Sequence, residues 1–111
     1  MPDEFDVKIT QQAQDQLSEI AHYVAYNLQS PITAQRHLDT LEESITSLSM
    51  QPKRVILVKD EPWHSKGIRR KPVKNFIVYF WVDDTAKIVH VTAVVYAKRD
   101  QIKQLQQMDL V

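Results

Sequence analysis

The chain has no cysteine and only one glycine, Gly67. The first absence excludes disulfides, thiol nucleophiles and thiolate metal sites, so stability has to come from packing. The second excludes a glycine-rich loop that cradles phosphates on backbone N–H groups. No stretch of ~18 apolar residues is present, which argues against a membrane-spanning helix. The opening stretch, with Asp3, Glu4 and Asp6, lacks the basic-then-apolar plan of a secretory leader. The expected location is cytoplasmic, with no membrane partner. The four histidines, His22, His37, His64 and His90, are scattered without metal-ligand spacing, so neither a metal nor another cofactor is expected.

What is present is ordinary globular material: 111 residues, 43% hydrophobic and 25% charged. That length suits one domain spanning residues 1–111, large enough for a real core. The net charge of zero conceals a division. Residues 1–50 carry two cations, Lys8 and Arg36, against eight acids, whereas residues 51–111 carry twelve cations against six acids. The second half is built to meet something anionic and the first is not.

Phe5, Val7 and Ile9 alternate with Asp6 and Lys8, the period of a half-buried strand. Thr10 is a candidate cap for a helix from Gln11, with Leu17, Ile20, Ala21, Val24 and Leu28 at helical spacing. Ser30 and Pro31 then open a second helix, whose stripe is Ile32, Leu38, Leu41, Ile45 and Leu48 and which ends near Met50 because Pro52 forbids continuation. With Asn27 to Ser30 as the connection, the two form an antiparallel hairpin. Beyond a β-branched run at Val55 to Val58 and a loop over 60–67, the segments Ile68 to Val73, Asn75 to Val82 and Lys87 to Tyr96 read as strands. Asp83 to Ala86 is the turn between the last two, and Pro72 marks an edge strand or an interruption. Asp100 can cap a short closing helix carrying Ile102, Leu105 and Met108.

If Val82 pairs with Lys87, then Phe80 lies opposite Val89 and Phe76 opposite Ala93. Phe76, Val78, Phe80, Val82, Val89, Val91, Ala93 and Val95 then share the core face. The reverse face shows Ile77, Tyr79, Trp81, Ile88, His90 and Thr92, too apolar to meet only water, so something covers it.

Lys66, Arg69, Arg70, Lys71 and Lys74 follow one another with no acid between them. On an extended strand Arg69 and Lys71 point one way and Arg70 the other, so only part of the cluster can meet a single phosphate backbone. A solvated strand edge guarded by charge explains such a run. Nucleic acid explains it as well, together with Lys98, Arg99 and the neighbouring Trp63 and His64: cations hold phosphates and aromatic rings stack on bases. Lys66, Lys71, Lys74, Lys98 and His64 are the binding candidates on that reading. Tyr96 to Asp100 sets a phenol, two cations and a carboxylate at the end of the last strand.

Gly67-Ile-Arg-Arg70, Val73-Lys-Asn-Phe-Ile-Val-Tyr-Phe80 and Val94-Val-Tyr-Ala-Lys-Arg-Asp100 occur in that order after a strand and a helix hairpin. In this the chain resembles the RelE/ParE superfamily of type II toxins over about residues 7–105. The resemblance implies an α+β fold: an N-terminal strand, the hairpin, then a three-strand antiparallel meander completing one sheet. It also implies a growth-inhibiting toxin blocked by a cognate antitoxin encoded beside it, which would cover the second sheet face through Tyr79, Trp81 and Ile88. The first expectation for its action is a metal-independent, ribosome-dependent endoribonuclease that cuts mRNA. There a ribose 2′-hydroxyl attacks the adjacent phosphate, with Arg69, Arg70, Arg99 and Tyr96 as catalytic candidates. The alternatives are a ParE-like toxin that inhibits DNA gyrase by binding, without nuclease activity, and a degenerate module that only binds its antitoxin. The closing stretch departs from the nuclease pattern: Ala97 stands for glycine, Ala93 for an arginine within the last strand, and Leu105 near the place of a tyrosine.

Overall fold

A computed structural model describes residues 4–27 and 31–111. Leu28 of the first stripe and the Ser30 cap lie outside the described residues. Strand β1 (Asp6–Ile9) leads through Thr10 into helix α1 (Gln11–Asn27), which is followed by helix α2 (Pro31–Thr46). Strands β2 (Arg69–Val73), β3 (Phe76–Asp83) and β4 (Ile88–Tyr96) then form a meander, and helix α3 (Gln101–Gln106) follows. The four strands make one sheet in the order β1-β4-β3-β2. β1 joins β4 in parallel and the other pairs are antiparallel. This is the architecture expected from the sequence. Among the described residues no helix is long and apolar enough to cross a membrane.

Local chemistry sets the boundaries. The Thr10 hydroxyl accepts a hydrogen bond from the Ala13 N–H at 3.2 Å, which satisfies one of the open donors of the first helical turn. Asp100 does the same for α3, accepting from the Lys103 N–H at 3.2 Å. α2 stops at Thr46, and a 3-10 turn over Ser47–Ser49 carries the chain to Met50. Gln51 then takes a left-handed φ of 50° before a second 3-10 turn, Pro52–Arg54. Pro72 lies in β2, at the edge of the sheet, where a missing N–H is harmless. The run from Val55 to Val58 is not a strand. It touches the start of β2 through a single bridge between Leu57 and Arg69 and through bonds from Arg70 N–H to Ile56 at 3.0 Å and from Val58 N–H to Ile68 at 2.8 Å.

The helices cover one face of the sheet. Ala13, Ile20 and Val24 of α1 and Leu41 and Ile45 of α2 pack with Leu48 on Phe76, Val78, Phe80, Val89 and Val91. Each large apolar side chain buried there contributes about 1.5–3 kcal/mol. Ile32, assigned to the α2 stripe from its spacing, is instead exposed. β1 pairs with β4 only from Ile88 to Val91. Beyond that point Gln16 of α1 serves the open edge, its Oε1 accepting from the Val94 N–H at 2.8 Å.

The register of β3 and β4 corrects the expected one. Val82 lies opposite Val89 and Phe80 opposite Val91, so the turn occupies residues 84–87, with Lys87 at a left-handed φ of 56°. A β-bulge at Tyr79/Phe80 then pairs Tyr79 with Ala93 and Phe76 with Tyr96. Thr92 is the extra residue, fully buried, and its hydroxyl donates to the Tyr79 carbonyl at 3.2 Å. One inserted residue reverses the side-chain alternation beyond it. Val94 and Tyr96 therefore join the helix-side core, while Ala93 and Val95 turn to the other face.

That other face is covered by the chain itself. Ile77, Tyr79, Ala93 and Val95 pack under Leu105, with Met108 and Leu110 from the tail and Trp63 from the loop before β2. The Trp81 indole N–H donates to the Leu110 carbonyl at 2.8 Å, and Gln12 of α1 holds both Gln107 and Asp109 at 2.7 Å. Tyr79 is 1% exposed, so it offers a partner no open surface, whereas Trp81 and Ile88 keep part of theirs.

Candidate functional site

The basic residues singled out in the sequence divide between the two ends of the sheet. At the start of β2, Arg69 points to the helix side, where its Nη1 donates to the Lys53 carbonyl at 2.9 Å and the Val55 carbonyl at 2.6 Å. Burial pulls its pKa down from the ordinary arginine value, and nearby Asp84 opposes that pull. Lys71, two residues on, donates from Nζ to the Ser44 carbonyl at 3.2 Å and the Ser47 hydroxyl at 2.9 Å, closing the carboxyl end of α2. Its pKa is lowered by burial and then by the Arg54 charge. Arg70 lies on the opposite face beside Tyr79 and acts against the burial that raises the Tyr79 phenol pKa. The Tyr79 hydroxyl donates to Gln101 Oε1 at 2.8 Å. Arg69 and Lys71 therefore hold local structure through these bonds.

The loop before β2 is likewise internally bonded. His64 places Nδ1 2.8 Å from the Val58 carbonyl, so Nδ1 carries the proton. Glu61 accepts from the Ser65 N–H at 2.7 Å and from its hydroxyl at 2.5 Å, bonds that lower the carboxyl pKa. Lys66 is exposed there.

The other end is open. Lys74 sits in the β2–β3 turn at a left-handed φ of 55°, and the Ala97 N–H donates to the Asn75 carbonyl at 2.8 Å, tying that turn to the end of β4. The Tyr96 ring contacts Phe76, 4.9 Å between centroids, and Tyr23 of α1, 5.7 Å and edge-on. Among the described residues the Tyr96 hydroxyl is buried with no hydrogen-bond partner. Its pKa is raised first by burial and then by Tyr23, with Arg99 pulling the other way. A groove of about 540 Å³ runs here between α1 and the end of β4, bordered by Ile20, Tyr23, Val94, Tyr96, Lys98 and Arg99. An adjoining hollow of about 460 Å³ reaches Lys74 and His37. Lys74, Lys98 and Arg99 are exposed, and among the described residues none of them forms an ion pair.

The structure thus gathers Tyr96, Arg99, Lys98 and Lys74, and it leaves Arg69 out. The four-residue climb of β2 from Arg69 to Val73 alone amounts to roughly 13 Å. Tyr23 and Gln101 belong to the site and were not singled out from the sequence. Tyr23 follows Ile20 by one helical turn, which is a signal, whereas nothing in the sequence marks Gln101.

Solved structures share this fold. The chain is similar to a structure of the chromosomal ParDE toxin–antitoxin system from P. aeruginosa, at TM-score 0.66 and 21% identity over 86% of this chain and 98% of that one. It is also similar to a structure of the RelBE2 toxin–antitoxin complex from Mycobacterium tuberculosis, at TM-score 0.58 and 18% identity over 84% and 98%. A search of curated proteins found no match. Residues 7–101 match the family described as the ParE toxin of the type II toxin–antitoxin system parDE, and the chain belongs to that family.

Proposed function

We propose that this toxin acts in the cytoplasm by binding a protein target, with DNA gyrase the candidate that the family resemblance supplies, and that a cognate antitoxin holds it in check. The observation that carries this reading is the use made of Arg69. Its guanidinium is committed to the carbonyls of Lys53 and Val55, at the far end of the sheet from Tyr96 and Arg99. Phosphodiester cleavage by 2′-hydroxyl attack needs a base, an acid and charge stabilisation converging on one phosphate. Target binding needs only a complementary surface with a few strong contacts. The replacements at Ala93 and Leu105 support the same reading, and the preference for a nuclease drawn from the sequence is reversed. One observation favours the nuclease: the Tyr96 hydroxyl, buried without a partner, lies at the end of the chain's open cationic surface.

Induced expression without antitoxin decides between them. DNA synthesis is expected to fall before protein synthesis, and purified toxin is expected to inhibit gyrase supercoiling while leaving ribosome-bound mRNA intact. Early loss of protein synthesis with cut mRNA would establish the nuclease instead. Unimpaired growth with soluble toxin present would leave only an antitoxin-binding module.

A further inference from the structure

We propose that Met108 is an oxidation-sensitive latch: a peroxide that converts its thioether to the sulfoxide releases the carboxyl-terminal tail from the second face of the sheet. This holds whichever target the toxin has.

The tail past α3 is held at four successive residues. Gln12 of α1 donates from Nε2 to the Gln107 carbonyl and accepts from the Asp109 N–H with Oε1, each at 2.7 Å, and the Trp81 indole N–H donates to the Leu110 carbonyl at 2.8 Å. Met108 lies in the middle of these bonds. Its side chain packs on the cluster of Ile77, Tyr79, Ala93 and Val95, and its sulfur accepts from the Thr92 hydroxyl at 3.0 Å. Thr92 is fully buried and Met108 only partly, so this contact links the buried bulge to the surface.

The sulfur is not needed to satisfy Thr92. The same hydroxyl reaches the Tyr79 carbonyl at 3.2 Å, and a leucine at 108 would fill the apolar contact as well. What a thioether adds is chemistry, because it is polarizable and open to oxidation by peroxides. The sulfur lone pair attacks one peroxide oxygen, the O–O bond breaks, and the departing hydroxide takes the proton of the transferred oxygen and leaves as water. Sulfur gives up two electrons, the peroxide is reduced, and a polar S=O stands where the apolar group was. Space decides the consequence. A hydrogen bond from the Thr92 hydroxyl to the new oxygen takes about 2.7 Å by itself. The S–O bond therefore cannot be added within the present 3.0 Å unless the sulfur moves off the sheet. Oxygen added on the other lone pair makes the side chain polar where it packs on Ile77, Tyr79 and Val95. Either way the bonds at Gln107, Asp109 and Leu110 lie within two residues of the displaced side chain and are lost with it. Met50, 44% exposed and bridged only to Glu4, is the internal comparison: more open to oxidant, with no tail to release.

The experiment is a peroxide titration of the full-length toxin, with each methionine followed by mass spectrometry and the tail by hydrogen exchange. Oxidation of Met108 is expected to speed exchange over 108–111 by about 10-fold while β3 and β4 exchange as before. It should also raise binding of a hydrophobic dye to the uncovered face. Met108→Leu, which keeps Met1 and Met50, should show neither change in peroxide, and Met50→Leu should show both. Methionine sulfoxide reductase with a dithiol should restore slow exchange. Met108→Gln, a polar side chain of similar length, should have the open tail without oxidant. Sulfoxide at Met108 with unchanged exchange and dye binding would overturn the proposal. So would a Met108 that stays reduced at every peroxide concentration the fold survives, or a response that persists in Met108→Leu. Loss of far-ultraviolet circular dichroism together with the tail would overturn it too, because oxidation would then unfold the whole chain.

Discussion

The two ends of the sheet are built from the same residue types and use them in opposite ways. At the start of β2, Arg69 and Lys71 are each bonded to two oxygens of the α2 exit and the turn that follows, and Lys53 is paired with Asp84. At the end of β4, Lys74, Lys98 and Arg99 face solvent around an apolar groove. Basic charge in a sequence therefore divides into cations that satisfy the protein's own carbonyls and cations that face solvent.

The comparison breaks first if the tail is dispensable. Leu105, 3% exposed, is the buried residue of α3 that lies over Ile77 and Tyr79. Leu105→Ala is expected to cost about 2–4 kcal/mol in urea unfolding. Removal of residues 101–111 would uncover the whole second face, and dye binding and aggregation on gel filtration should follow. A soluble, monomeric truncation would show that this face needs no cover.

Arginine substitutions sharpen the comparison directly. Arg69→Ala leaves the Lys53 and Val55 carbonyls without their charged donor and is expected to lower stability by about 2–3 kcal/mol. Arg99→Ala, on an exposed residue, should stay within about 0.5 kcal/mol. Equal effects from the two, by chemical denaturation, would erase the distinction between the ends.

Legibility in the sequence followed the same division. Thr10 and Asp100 were readable as caps because a cap is a local bond, and Pro72 as an edge residue because its missing N–H excludes a central strand. The bulge was not readable. From Val91 to Val95 every residue is buried, so there is no polar alternation to show that Thr92 shifts the register. The fate of Arg69 was hidden too, since its acceptors lie 14 and 16 residues upstream in an irregular turn. The cover of the second face is half legible: Ile102, Leu105 and Met108 recur at three-residue spacing, yet Ile102 is 40% exposed while the other two pack inward.

Tyr79 tests how firmly the two ends are joined. Its hydroxyl binds Gln101, the side chain that also fixes the loop of Lys98 and Arg99. Tyr79→Phe is expected to cost about 1 kcal/mol. It should also loosen that loop, seen as faster hydrogen exchange over 97–101. Unchanged exchange there would mean that Gln101 is held by the loop carbonyls alone.

The smallest effect expected is at Asp84, whose carboxylate lies 2.8 Å from Lys53 Nζ with both side chains about half exposed. The hydrogen bond from Lys53, aided by the charges of Lys53, Lys87 and Arg69, holds the Asp84 pKa below the ordinary value of 3.8. A carboxyl group whose pKa is lower in the folded state binds protons more readily when unfolded, so its stabilisation is present at neutral pH and is lost as pH falls through the folded pKa. Asp84→Asn should therefore lower Tm slightly at neutral pH, and the gap between variant and wild type should close as pH falls through the folded pKa. It should also shrink in about 1 M salt, since an exposed pair is screened. A gap that survived both acid and salt would come from the geometry of the β3–β4 turn, and the start of β2 would then owe nothing to the Lys53–Asp84 pair.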